Sequence, residues 1–161
     1  MNYVLLILLW LHVFFVVLWL GGFLFQVIVI FPVLSSLSSQ GRMELFQNVI
    51  GRGEKVFLPV MGLTLVFGFI LLVAMFGLDL RVLLTSRPWI YLISGGLLGL
   101  IASLKFIFID RPGIVALTSG EGIETAFSGS SRPSPSMIIL LVVQLLLLMG
   151  AFTLMIIGAN F

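Results

Sequence analysis

The chain has 161 residues, of which 61% are hydrophobic and 9% charged, with a formal net charge of +2 and a mean hydropathy of +1.31. These values lie far outside the range of soluble globular domains and define an integral membrane protein; so small a net charge, placed in short connections, excludes nucleic acid as an expected partner. The absence of cysteine removes disulfides, thiolate metal ligands and iron–sulfur clusters from consideration within this chain.

Four apolar segments follow in chain order, about 3–33, 56–78, 88–109 and 136–159, each long enough to cross a bilayer. They predict an all-α membrane protein with one domain over 1–161, a four-helix antiparallel bundle. The first segment lacks a basic leader and a small-residue cleavage site, and reads as a retained helix. The connection from Leu34 to Lys55 opens on Ser35, Ser36, Ser38 and Ser39. It then mixes Arg42, Glu44, Arg52, Glu54 and Lys55 with apolar residues, which predicts an amphipathic interfacial helix with Arg42, Arg52 and Lys55 facing anionic lipid.

The second connection, Asp79 to Arg87, is short, and Pro88 suits the first turn of the next helix. The third, Asp110 to Pro135, is rich in Gly, Ser and Pro and reads as a solvent loop, with Asp110-Arg111-Pro112-Gly113 as a helix stop. No internal repeat of fixed period stands out. Lys and Arg near the membrane ends favour connections one and three (Arg42, Arg52, Lys55, Lys105, Arg111, Arg132) over connection two (Arg81, Arg87). The positive-inside rule then puts both termini on the outer side of a cell membrane.

Against this background the single histidine is the first functional candidate. His12 lies within the first span, where an imidazole needs a partner for its ring nitrogens: a metal, a haem iron, a proton path or an interior hydrogen bond. His12, Trp19 and Gln26 are spaced by sevens and share one helical stripe, which should face the bundle interior. That stripe reads either as cofactor-facing, with His12 as ligand, or as a packing seam whose polar members bond to neighbouring helices. Glu54, Met61, Gly68 and Met75 repeat the spacing on the second helix, and methionine is a plausible haem or copper(I) ligand as well as a common core filler. Counting turns from the outer face puts His12 level with Phe69, Gly96 and Gly150, making Met149 the best placed methionine, with Met75 nearer the surface.

The same count gathers Gln26, Thr64 and Gln144 into an inner polar layer. Gly95, Gly99 and Ser103 form a small-residue ridge for close packing or a flat cofactor, and Lys105 is placed to snorkel to the headgroups. A lone buried His leaves no Ser-His-Asp hydrolase constellation.

Leu11-His12 followed by Trp19-Leu20-Gly21-Gly22 and a closing Phe31-Pro32 resembles the opening helix of the CopD-type and HemJ-type small integral membrane proteins. Arg52 to Lys55 with Pro59, Thr64 and Gly68, and Trp89 opening the third helix, look similar as well; the likeness covers about the first 105 residues. HemJ-type members bind haem b and are linked to protoporphyrinogen IX oxidation, whereas CopD-type members are linked to copper handling. The resemblance implies His12 as the haem or metal ligand, beside Trp19; no second His exists for bis-histidine ligation, so the sixth position would be a Met, with Met149 or Met75 as candidates, open, or supplied by a partner subunit. It implies an electron-transfer subunit or component of a membrane oxidoreductase, associated with other membrane subunits or with copies of itself. The alternatives are a cofactor-free accessory subunit and a copper-handling protein.

Overall fold

The computed structural model describes residues 3–77, 87–118 and 134–159, all of them helical apart from short links. Among them are four helices long and apolar enough to cross a membrane: α1 (Tyr3–Ser36), α2 (Ser39–Phe76), α3 (Trp89–Leu117) and α4 (Pro135–Gly158). The spans expected from sequence are present, but three are longer than expected. At 1.5 Å per residue, the 34 residues of α1 and 38 of α2 run for roughly 50 Å and 57 Å, against a hydrocarbon core of about 30 Å.

The surplus comes from segments that the sequence presented as connections. No separate interfacial helix exists between Leu34 and Lys55: α1 continues to Ser36, Leu37 and Ser38 form the link, and α2 begins at Ser39. The Ser38 side chain accepts a hydrogen bond from the Gly41 N–H, capping α2. The amphipathic pattern in this stretch survives as the two faces of one continuous helix. Phe46 and Ile50 are buried, while Gln40, Glu44, Gln47, Asn48, Arg52 and Lys55 are exposed. Arg42 does not face lipid. Its Nε donates to the carbonyls of Leu34 and Leu37, both at 3.1 Å, and so closes the open end of α1 from a buried position.

The expected helix stop at Asp110–Gly113 is also absent, because α3 runs through it. The reason lies in the turn just before. Residues Phe106–Asp110 form a π turn in which the Arg111 N–H reaches the Phe106 carbonyl, and Gln26–Ile30 form another ahead of Pro32, with the Phe31 N–H on Gln26. A proline inside an α-helix lacks one donor and collides with the carbonyl four residues back. Widening the preceding turn by one residue relieves that collision at Phe31-Pro32 and Arg111-Pro112, whereas Pro59 lies in α2 without such a turn and the π turn at Phe46–Ile50 precedes no proline. The rest of the third connection and most of the second lie outside the described residues.

Helix α1 packs chiefly on α2, and α3 on α4, with fewer contacts between the two pairs. Trp19, Val60, Met61, Ala102 and Leu148 join all four helices in one cluster. A second cluster of Ile30, Leu34, Phe46, Ile50 and Leu117 fills the extension at the α1–α2 link. Of the small-residue ridge of α3, Gly95 serves packing and Gly99 has open space at its Cβ position: a Cβ on Gly95 would stand 2.9 Å from the Ala151 backbone oxygen, so bare backbone sets the α3–α4 spacing there. Gly96, with open space at its Cβ position, has no such role. Gly95→Ala should lower thermal stability in detergent by about 1–3 kcal/mol, since backbone cannot yield as a side chain can, while Gly96→Ala should be neutral or slightly stabilising. Equal melting temperatures for the two variants would refute this account of the α3–α4 contact.

Candidate functional site

The interior stripe of α1 is where periodicity placed it. His12 and Trp19 are buried, and Gln26 lies partly buried on the same side. The His12 ring lies in a notch of α2 made by Gly68, where an added Cβ would come within 2.8 Å of the imidazole Cε1 and 3.1 Å of Nδ1. His12 Nδ1 stands 3.0 Å from the Thr64 backbone oxygen. A carbonyl only accepts, so Nδ1 carries the proton and Nε2 is left with a free lone pair. The residue four positions after a helical carbonyl normally screens it, and Gly68 holds that position relative to Thr64. The bare glycine therefore makes room for the ring and uncovers its acceptor.

Nε2 has no hydrogen-bond partner among the described residues, and it is not among their fully enclosed polar atoms. An imidazole fixed through Nδ1–H to a backbone carbonyl, with Nε2 open, has the tautomer and orientation of an axial or metal ligand. The remaining proposed ligands are not brought to it. Met149 is 43% exposed and Met75 51% exposed on the outer surface of their helices. Met149 follows buried Leu148 and is turned about 100° away from it; Met75 lies two turns, roughly 10 Å, along α2 from Gly68. Among the described residues no three His, Cys, Asp or Glu side chains cluster as a metal site. The donor chemistry thus fits one haem or metal bond through His12, with any second ligand supplied from elsewhere.

Trp19 is two turns below His12, separated from it by Phe15, whose ring stacks on Phe67 at 5.6 Å. It lines a different feature, a cleft where α1 and α2 meet α3, walled by Trp19, Phe23, Phe57 and Phe106 and carrying Gln26 and Glu54. The cleft encloses about 420 Å³ counting its open mouth, of which the deep part, about 20 Å³, has room for one water. Gln26, Thr64 and Gln144 do not form one polar layer. The Thr64 hydroxyl donates to Val60, Gln144 donates to the Ala102 carbonyl, and Gln26 has no partner among the described residues. Buried Met61, on the stripe with Gly68, also faces this cleft.

Lys105 does not snorkel. Its Nζ lies 2.8 Å from both carboxylate oxygens of Asp110, and the side chain is only 9% exposed. The two are five residues apart across the π turn, which brings positions i and i+5 onto one side of the helix. Glu54 pairs with Arg111. The π turn is the signal that sequence reading missed, and Lys-x4-Asp ahead of Arg-Pro was its only trace.

The fold and these groups define a four-helix membrane-spanning protein with a histidine pinned in a helix–helix notch and a separate aromatic cleft. Comparison of the chain with protein-family models, curated proteins and solved structures gives no match.

Removing one member of the enclosed pair strands the other charge. Lys105→Met should destabilise the protein by about 1–3 kcal/mol, less than for a fully buried pair because Asp110 is only partly buried, and adding Asp110→Leu should restore most of that loss. A double variant no more stable than the single one, by denaturant unfolding in detergent, would show that the pair is not the cause.

Proposed function

We propose that this chain is a haem b-binding integral membrane protein of the CopD/HemJ kind, acting as an electron-transfer component of a membrane oxidoreductase, with His12 Nε2 as axial ligand. The observation that carries this reading is the Nδ1–H to Thr64 carbonyl bond, which fixes the ring and reserves Nε2. The haem supplies one-electron chemistry when bound. The chain's part is to hold the imidazole, through Gly68 and Thr64, and to keep water from it with the surrounding apolar side chains. Met75 and Met149 are dropped as sixth ligands, and that position belongs to a neighbouring subunit or stays open.

In this reading the four spans alternate in direction through a cell membrane. Contacts of His12 with Gly68, Phe15 with Phe67 and Gly22 with Phe57 support that order for α1 and α2, their numbers rising in one helix as they fall in the other. The Lys and Arg balance places the α1–α2 link in the cytoplasm and both termini outside. The exposed apolar flank of α1, with Ile7, Trp10, Phe14 and Val17, faces lipid or another membrane subunit.

One observation favours a second reading, a cofactor-free accessory subunit: the His12 ring already fills the Gly68 notch, and the cleft lies two turns away. Copper handling has less support, since His12 lacks clustered co-ligands among the described residues. The full chain purified after haem-replete expression should show a Soret band that His12→Ala abolishes. Gly68→Ala, which displaces the ring while keeping it, should weaken haem binding about 10–100-fold. A spectrum without haem, or one that His12→Ala leaves unchanged, would favour the accessory role.

A further inference from the structure

We propose that the cleft between the two helix pairs binds the head of a membrane-soluble quinone. This goes beyond the reading of His12 and does not depend on it.

The argument starts from polar groups without partners. Trp19 is more than nine-tenths buried, and its indole N–H has no acceptor among the described residues; the Gln26 amide is likewise unpaired. Both border the same cleft, within a helix that has no charged residue along its whole length. Unpaired N–H donors in apolar surroundings are costly, and Trp19 and Gln26 both line this one space, so an acceptor bound there would relieve both. A quinone offers carbonyl oxygens to Trp19 Nε1–H and the Gln26 NH2. Its reduced form offers hydroxyls that the Gln26 carbonyl oxygen accepts.

The walls and the charge narrow the class. Trp19, Phe23, Phe57 and Phe106 present aromatic surface, against which a flat ring stacks in offset or edge-on geometry. Glu54 is the one charged group in the lining, and Arg111 neutralises it, so the site suits a neutral head. A saturated acyl chain would leave both N–H donors unpaired. A lipophilic cation would meet a carboxylate already paired.

Entry is from the open side. The deep part holds no more than a water, so a ring enters by moving Phe57 and Phe106, both only partly buried. Phe57 is poised for this: its ring rests on the bare backbone of Gly22, where a Cβ would fall 1.9 Å from Cε1, and lies 3.5 Å from the Cβ position of Gly53.

The test uses the full chain in lipid nanodiscs with a radiolabelled decyl-substituted benzoquinone. Saturable binding above the uptake of protein-free nanodiscs is expected. Gln26→Leu should weaken it about tenfold, and Trp19→Phe, which keeps an aromatic wall but removes the donor, should weaken it at least threefold. Gly22→Ala, which drives Phe57 off its seat, should also change the affinity. His12→Ala should leave binding intact, which separates this result from the haem reading. The proposal is overturned by non-saturable uptake, by affinity indifferent to both Gln26→Leu and Trp19→Phe, or by decyl alcohol displacing the quinone equally well, which would mark an acyl-chain site.

Discussion

The contact between His12 and the Thr64 carbonyl is the interaction on which the arrangement of this protein turns. In lipid, apolar surface alone gives helices little reason to choose one partner over another, because acyl chains are as apolar as leucine. A buried imidazole does distinguish among faces. It must find an acceptor, and α2 offers one where Gly68 leaves the Thr64 carbonyl uncovered. That single requirement fixes the rotation of α1 about its axis and its register on α2. With register set, Phe15 stacks on Phe67, Trp19 meets Val60 and Met61, and Gly22 takes the Phe57 ring.

A second constraint acts along the helices. Pro32 and Pro112 would be expected to end helices at the membrane surface, yet a π turn ahead of each carries the chain onward. The continuation lets Ile30, Leu34, Phe46, Ile50 and Leu117 pack together around the α1–α2 link. The same wide turn in α3 joins Lys105 to Asp110, so one backbone device both accommodates a proline and shelters a charge pair.

How far the sequence could be read follows from what each signal encodes. Hydropathy marks the membrane solvent, so the four spans were legible; it is blind to helix continuing into water, so their lengths were not. Sevenfold spacing correctly put His12, Trp19 and Gln26 on one inward stripe and placed Met61 and Gly68 on its counterpart in α2. It could not tell which stripe of α4 faces inward, since α4 is apolar all round, and Met149 was taken for an interior residue when buried Gln144, Leu148 and Ala151 mark the inward side. Counting turns matched His12 to Phe69, within a few residues of its true neighbours Thr64 and Gly68. The polar layer of Gln26, Thr64 and Gln144 failed for another reason: Thr64 and Gln144 find backbone carbonyls close by, a route open to any hydroxyl or amide in a helix and invisible to matching by depth.

What remains after these pairings is informative about chemistry. Thr64, Ser103 and Thr153 return their hydroxyls to carbonyls one turn back, and Arg42 spends its Nε on the end of α1. Among the described residues the enclosed Trp89 Nε1 on α3 and Gln144 Oε1 on α4 have no partner, and the further open groups fall on one stripe of α1. His12 Nε2 is open at one level, and Trp19 and Gln26 at another, two and four turns further along the same stripe of α1. Leucine in place of Trp19 and Gln26 would fill the same space at no desolvation cost. Their retention along one stripe, with backbone glycines opposite at Gly68 and beneath Phe57, is the pattern expected where bare polar atoms are kept for something that arrives from outside the chain.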